Sequence, residues 1–257
     1  MSPEAIYQRM HKRAHAFLQE MIQQAFATIH AGTHGRDDGL FASFAKVHIA
    51  DSTGFELPES LKDSFPGSGG SAATAGAKIH AVWDYKSSTF AHFALTPWNI
   101  PDQKYIDHVV ALAHKDVLFI FDLGYFKIQA FARLVAADAY FLSRLNHQTH
   151  LFEAVEGGVH QVALATFLPT VTGNLIEHPI FLGAQDLVAA RLIASRVPEP
   201  IVNERRRKAR KKKKKKGYTP SKAHLELLAW NLFITNVPAT IWKTDTVLKV
   251  YPMRWQI

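Results

Sequence analysis

The sequence predicts an α/β fold, with a mixed sheet, flanking helices and a β-rich insertion. Segments with the two-residue period of strands alternate with segments of helical period, the order expected for a mixed sheet covered by helices. One run, "DVLFIFDLGYF" at 116–126, is apolar almost throughout, which is typical of a buried central strand. The chain has 257 residues, 47% of them hydrophobic, which is enough for one large domain with its own core.

The first 40 residues are predicted to form an N-terminal helical segment (1–40). Within it, residues 3–30 show the amphipathic spacing of a helix. The segment is not uniformly apolar, so it has the pattern of neither a signal peptide nor a membrane span. No other apolar run reaches spanning length, and we therefore expect no contact with a membrane.

Residues 41–145 contain the elements of the predicted core. Its first strand, "FAKVHIADSTGFEL" at 44–57, alternates apolar and polar residues in part. The glycine-rich loop at 64–76 lacks the Lys-Ser/Thr ending of a phosphate-binding loop. The segment 77–95 is typical of a β-hairpin whose turn begins near Asp84, where an aspartate is expected for backbone reasons.

The second half of the core alternates helices and strands. We predict a helix at 102–114, the buried strand at 116–126, a helix at 127–137 and a strand at 139–145. The predicted element order is therefore strand, hairpin, helix, strand, helix and strand. This is the order of the ribonuclease H-like nuclease fold. In that fold the first strand lies beside the fourth, near the point where the strand order reverses and polar sites collect.

Residues 146–228 form the predicted insertion. Strands are expected at 176–183 and 187–198, followed by a basic helix at 199–217. Gly217 suits the position just past the end of that helix, where a left-handed backbone conformation is common.

Residues 229–257 return the chain to the core. "WNLFITNVP" at 230–238 predicts a strand, and "TDTVLKVYPMRWQI" at 244–257 predicts a helix. No glycine or capping signal ends this helix, so we expect the sequence to stop in the middle of it. Pro252 lies inside it, and a proline within a helix costs about 3 kcal/mol and usually kinks it.

The positive charge of the chain is concentrated in one run, "RRRKARKKKKKK" at 205–216. It holds 11 of the 30 Lys and Arg residues, and the other 19 face 22 acidic residues, so the rest of the chain is mildly acidic. Such a run attracts phosphate backbones through counterion release. The candidate DNA contacts are Arg205, Arg206, Arg207, Lys208, Arg210 and Lys211. A solvated basic tract is the alternative interpretation.

Two aspartates are candidates for a metal site. Asp51 lies on the first predicted strand and Asp122 at the carboxyl end of the fourth. On neighbouring strands, their carboxylates would hold hard divalent cations through oxygen. Each also has an ordinary alternative, since Asp51 suits a turn cap in "IADST" and Asp122 a strand end before a glycine. The absence of cysteine excludes thiolate metal sites, disulfides and cysteine nucleophiles, and fits a reducing compartment.

Several motifs together resemble the insertion-sequence transposases of the IS4 type, which carry a DDE catalytic domain. They include "ADSTGFELPESL", "FIFDLGYF", "AYFLSRL", "LLAWNLFITNVP" and "YPMRWQI". Their order and spacing agree with the family from about Leu18 to Ile257. The resemblance implies that Asp51 and Asp122 are catalytic ligands of two Mg²⁺ or Mn²⁺ ions.

The resemblance also gives roles to the end of the sequence. The family motif is Tyr, two residues, Arg, three residues, Glu, with a Lys further on; Tyr251 and Arg254 match its first half. The resemblance implies that Arg254 contacts phosphate and that the Glu, the third metal ligand, stands at position 258. Trp230 matches a tryptophan that holds a flipped base in some relatives, although a core tryptophan is the alternative.

The implied function is metal-dependent hydrolysis and strand transfer at the ends of a transposable element, with DNA as the partner. The resemblance also implies a homodimer in a synaptic complex and a cytoplasmic, nucleoid-associated location in a bacterium. Because position 258 lies past the sequence, we expect these 257 residues to be inactive alone. The alternatives are a non-catalytic DNA-binding or dimer-forming fragment, acting at most as an inhibitor, and a hydrolytic nuclease of the same fold.

Overall fold

The computed structural model describes residues 16, 17, 20, 21, 24, 25, 39–69, 73–214 and 217–256. The helix predicted at 3–30 lies mostly outside these residues, although the six described positions between 16 and 25 are helical. Among the described residues, no helix has the length and apolar composition that crossing a membrane requires.

The first five strands form the part of the sheet that carries the site. They are β1 (Lys46–Glu56), β2 (Gly76–Asp84), β3 (Thr89–Pro97), β4 (Val117–Phe121) and β5 (Tyr140–Arg144). Their order is β3-β2-β1-β4-β5. β2 is antiparallel to both β1 and β3, whereas β1, β4 and β5 are parallel neighbours. This is the ribonuclease H-like arrangement, and it confirms the predicted fold class.

The insertion continues the same sheet. Its strands are β6 (Leu151–Val155), β7 (Gly158–Val162), β8 (Leu175–Leu182) and β9 (Val188–Arg196), and the returning strand is β10 (Trp230–Thr235). β10 lies between β5 and β9 and is antiparallel to both. The order therefore continues as β5-β10-β9-β8-β6-β7.

Six α-helices of the described residues accompany the sheet. They are α1 (Asp102–Val110), α2 (Ile128–Ala136), α3 (Leu164–Thr170), α4 (Glu199–Lys214), α5 (Lys222–Leu227) and α6 (Thr244–Val250). Short 3₁₀ helices cover Leu123–Tyr125 and Tyr251–Gln256.

Two hydrophobic layers enclose β4, because successive side chains of a strand point to opposite faces of a sheet. Phe119 and Phe121 pack in the cluster that includes α1 and α2, whereas Leu118 and Ile120 pack in the cluster that includes α6. All four side chains are inaccessible to solvent. Burying each contributes about 1.5–3 kcal/mol, which explains why the sequence of β4 is apolar without alternation.

The prediction of a helix at 244–257 is wrong beyond Val250. The α-helix ends there, and Tyr251–Gln256 continues as a tighter 3₁₀ helix. Pro252 supplies the reason, since its ring has no N–H to donate and collides with the carbonyl four residues earlier in an α-helix. Tyr251 and Arg254 therefore lie on a 3₁₀ helix instead of the predicted α-helix.

Candidate catalytic site

The pairing of β1 with β4 brings Asp51 and Asp122 to the same edge of the core. The parallel register sets Ala50 opposite Phe121, and each aspartate is the next residue on its strand. Asp122 precedes the 3₁₀ helix Leu123–Tyr125, yet its side chain makes no capping hydrogen bond there. Asp51 Oδ1 accepts a hydrogen bond from the Ser52 N–H at 2.8 Å. The sequence thus places two carboxylates side by side from positions 71 residues apart.

Arg254 joins these two carboxylates through one guanidinium group. Its Nη1 lies 3.3 Å from Asp51 Oδ2, and its Nη2 lies 3.0 Å from Asp122 Oδ1. The Arg254 side chain is 1% exposed, whereas the aspartate side chains are 44% and 38% exposed. The site therefore consists of two solvent-accessible carboxylates that contact one buried cation.

Two aromatic rings hold the guanidinium in place. Its central carbon lies 3.8 Å from the ring centre of Trp255 and 5.6 Å from that of Tyr251. Tyr251 is 5% exposed and packs against Phe233. Burial raises the pKa of the Tyr251 hydroxyl, so the phenol is neutral at pH 7. Contact with the two rings helps to keep the planar fork of the guanidinium directed at the carboxylates.

Three polar side chains, those of Ser52, Lys78 and Asp102, form a hydrogen-bonded cluster beside Asp51. Ser52 Oγ donates to Asp102 Oδ1 at 3.0 Å, and Lys78 Nζ donates to the same oxygen at 2.8 Å. Lys78 also donates to the Ile100 carbonyl at 2.9 Å. These contacts tie β1, β2 and the start of α1 together next to the site.

The hydroxyl of Tyr125 holds the backbone of Asp51 through a hydrogen bond. Its hydroxyl donates to the Asp51 carbonyl at 3.2 Å and lies 3.0 Å from His80 Nδ1. Burial lowers the pKa of His80 to about 4, so this ring is neutral at pH 7. Burial also raises the pKa of Tyr125. Neither group carries charge near neutral pH, so the charges around Asp51 are those of Asp122, Asp102, Arg254 and Lys78.

The motif "FDLGYF" explains one of these contacts. A Cβ on Gly124 would lie 2.6 Å from Asp102 Oδ2, closer than real Cβ atoms approach such a neighbour. Glycine at this position therefore lets α1 approach the end of β4. Sequence reasoning identified the motif but missed Ser52, Lys78, Asp102 and Tyr125, because only the folded chain shows what these polar residues contact.

A shallow apolar groove adjoins the site. It has a volume of about 280 Å³ and is lined by Asp51 and Arg254 together with side chains such as Ile79, Trp83 and Phe90. Trp255 forms one wall and is 70% exposed. The Asp51 carboxylate can thus be reached by a ligand with an apolar or planar surface.

The donor chemistry of the site fits a divalent cation. Aspartate oxygens are the ligands that Mg²⁺ and Mn²⁺ prefer, and a positively charged group already lies between the two carboxylates. Within residues 39–69, 73–214 and 217–256, no three or more His, Asp or Glu side chains converge as a complete metal centre. The described residues therefore supply two carboxylates for such an ion.

Asp84 has the turn role expected from the sequence. It is 5% exposed and accepts hydrogen bonds from the Val47 N–H at 3.3 Å, the Lys86 N–H at 3.2 Å and Ser87 Oγ at 2.8 Å. Its carboxylate is thus engaged by the hairpin turn and the start of β1.

The six candidate DNA contacts on α4 divide into two groups. Arg205 donates to Asn231 Oδ1 at 2.8 Å, and Arg206 donates to the Leu225 carbonyl at 3.1 Å, so both are engaged by the fold. The others, which we term the outer cations, are exposed: Arg207, Lys208, Arg210 and Lys211. Lys208 pairs with Glu204 one turn earlier.

Trp230 lies inside the fold. It is 6% exposed in β10, and the Arg196 guanidinium lies 4.6 Å from the centre of its ring. A base could stack on this face only after Arg196 moved away, because both would occupy the same side of the indole. The role in base stacking stays a prediction.

Comparison with known proteins finds similar proteins along most of the chain. A family model described as "Transposase DDE domain" matches residues 42–257. The transposase for insertion sequence element IS231D of Bacillus thuringiensis subsp. finitimus is 29% identical, with 100% of this chain and 57% of that protein aligned. The transposase for insertion sequence element IS1151 of Clostridium perfringens is 27% identical, with 99% and 57% aligned.

The chain therefore spans little more than half the length of these relatives. Among solved structures, a synaptic complex of piggyBac transposase with hairpin DNA is similar in fold, with a TM-score of 0.44 and 8% sequence identity. The alignment covers 82% of this chain and 38% of the piggyBac chain.

Proposed function

This chain belongs to the transposase DDE domain family, and on that premise we propose that it forms the catalytic core of an insertion-sequence transposase of the IS4 type. The observation that carries the proposal is the pair of carboxylates, Asp51 and Asp122, that neighbouring parallel strands present around one guanidinium. The reaction is hydrolysis that frees the 3′ ends of the element, followed by in-line attack of those hydroxyls on target DNA.

Asp51 and Asp122 are the residues that would hold divalent cations, Mg²⁺ or Mn²⁺. Ions held there would supply Lewis-acid chemistry for attack of a water or 3′-hydroxyl on a phosphodiester. The protein side chains fix the position of this chemistry, since Tyr125 donates to the Asp51 carbonyl and the next residue, Ser52, donates to Asp102. No covalent link between protein and DNA is required.

Arg254 is proposed to contact the reacting phosphate. Its planar guanidinium suits two phosphate oxygens at once, and it lies beside the carboxylates that hold the metal. Tyr251 lies next to it and is proposed to belong to the same DNA-binding surface.

The remaining DNA contacts are assigned to the insertion. The outer cations of α4 are exposed and carry four positive charges on one short segment, which suits a phosphate backbone. Arg205 and Arg206 lie at the inner side of the same helix, and Trp230 is proposed to take a flipped base once Arg196 is displaced. The working form is proposed to be a homodimer that synapses two element ends in the bacterial cytoplasm.

These 257 residues alone are proposed to cleave DNA at a rate near background. The described residues offer two carboxylates for two divalent ions, so the second ion would be poorly held. The family resemblance expects a glutamate at position 258. Continuing the chain with Glu at 258 and the following helix of a relative should restore Mn²⁺-dependent nicking of DNA. The same extension with Gln at 258 should not.

Binding of Mn²⁺ tests the site separately from cleavage. Titration followed by electron paramagnetic resonance should show weak binding to the 257-residue chain that the double variant Asp51→Asn, Asp122→Asn abolishes. Asp245→Asn is the matched control, because it removes an exposed carboxylate on α6. Equal Mn²⁺ affinity in the double variant and the wild type would contradict the assignment. A chain that binds DNA but no Mn²⁺ would favour the non-catalytic DNA-binding fragment.

A further inference from the structure

The position of Arg254 raises a conflict with its proposed phosphate contact. The two terminal nitrogens of the guanidinium face Asp51 and Asp122, so the planar fork that would hold two phosphate oxygens side by side is already occupied by the aspartates. The side chain is also 1% exposed, so a phosphate could meet only the small part of it that lines the groove.

Arg254 also fills the space that a bridging metal ion needs. Metal–oxygen bonds to Mg²⁺ or Mn²⁺ are about 2.0–2.2 Å long, whereas the guanidinium nitrogens lie 3.3 and 3.0 Å from the same carboxylate oxygens. Asp51 Oδ1 accepts the Ser52 N–H, and Oδ2 is the oxygen that contacts Arg254. An ion shared by the two carboxylates would therefore stand where the guanidinium now stands.

We propose that Arg254 is an internal substitute cation, which holds Asp51 and Asp122 in position before metal binds and is displaced when a divalent ion enters. The inference rests on the proposed metal site and adds a positioning role for Arg254 within it. Without a cation, the two adjacent carboxylates would repel each other and separate. Arg254 keeps them together, and for the same reason it competes with the metal.

An unused donor supports displacement. Arg254 Nε is buried and forms no hydrogen bond with the part of the chain that the structure describes. A buried donor without a partner is costly, so the paired arrangement is not the best environment for this guanidinium. Once displaced, the group would present all of its N–H donors at the edge of the groove, where a phosphate could accept from them.

The test is the order of Mn²⁺ affinities in variants of the 257-residue chain. Arg254→Met keeps much of the side-chain volume but removes the competing cation, and should bind Mn²⁺ about five- to tenfold more tightly than wild type, as expected for loss of two partly exposed ion pairs. Arg254→Lys keeps the charge without the planar fork and should have intermediate affinity. Arg133→Met is the control for net charge, because Arg133 pairs with exposed Asp107 on α1.

A second measurement follows the guanidinium itself. Trp255 lies 3.8 Å from it, so Mn²⁺ or Mg²⁺ should change the fluorescence of this exposed indole as Arg254 leaves. Mg²⁺ is the cleaner probe, since it does not quench fluorescence by itself. Trp255→Phe should remove the change while metal binding persists.

The outcomes separate this inference from the metal site on which it rests. If Asp51→Asn weakens Mn²⁺ binding but Arg254→Met and Arg254→Lys bind no more tightly than wild type, the substitute-cation role is wrong and the metal site stands. If Arg254→Met does not fold, the Lys variant and the Trp255 signal still decide. A Mg²⁺ titration that saturates binding without altering Trp255 fluorescence also overturns the inference.

Discussion

Arg191 offers the sharpest test of how the insertion supports the site. In β9 it forms a two-pronged pair with Glu177 of β8, with both N···O distances 2.7 Å. It also donates to the Val237 carbonyl at 2.7 Å and the Trp242 carbonyl at 3.0 Å. These carbonyls belong to the segment that leads from β10 to α6 and then to Arg254. Arg191→Met should therefore loosen the attachment of that segment to the sheet.

The size of the effect follows from burial. Breaking a buried ion pair costs about 3–5 kcal/mol, and partial exposure reduces it. The Arg191 and Glu177 side chains are 12% and 31% exposed, so the lower end of that range applies. The variant also leaves two carbonyls without this donor. We expect a loss of about 3 kcal/mol of unfolding free energy, which lowers the melting temperature by roughly 6–12 °C in a domain of this size.

Thermal and urea unfolding, followed by far-ultraviolet circular dichroism at pH 7, measures this loss. Arg207→Met is the matched control, since it removes an equal charge from the exposed face of α4 and should change the unfolding free energy by less than about 0.5 kcal/mol. Equal melting temperatures of Arg191→Met and wild type, within about 2 °C, would refute the reasoning that these four contacts anchor the segment.

Three further predictions concern DNA binding, pH and packing. Replacing all four outer cations by Gln should flatten the slope of log K against log salt for DNA binding by about 3–4 units, at about 0.9 per phosphate contact; an unchanged slope would show that they do not contact phosphate. Burial lowers the pKa of His48 from 6.5 to about 4. As pH drops, His48 is therefore protonated in the unfolded chain at a higher pH than in the folded chain, and the unfolding free energy falls between pH 6.5 and about 4. His48→Leu should remove about 2 kcal/mol of that loss at pH 5, measured as unfolding free energy at pH 7 and pH 5, and an equally steep loss in the variant would contradict it. Gly124→Ala should push Asp102 away from Ser52 and Lys78 and lower both the melting temperature and Mn²⁺ affinity; a variant equal to wild type in both would show that the close approach is unimportant.

The core strands could be predicted because their patterns are local. The alternation of β1, the hairpin of β2 and β3 and the apolar run of β4 each report burial of one or both faces of a strand. The insertion was harder. The hairpin of β6 and β7 and the short helices α3 and α5 were not predicted, although "EGG" at 156–158 is a turn signal and Gly157 has φ of 86°.

By itself, the sequence determined the fold class, the positions of Asp51 and Asp122 on or after neighbouring strands, and the concentrated charge of α4, since strand periodicity, strand order and composition are local features of the chain. Only the tertiary structure decided which partners the polar groups take. Arg254 lies 203 residues from Asp51 and 132 from Asp122, and no local pattern connects them. The partners depend on the parallel register of β1 and β4 and on the burial of the guanidinium, both of which arise when distant segments pack together.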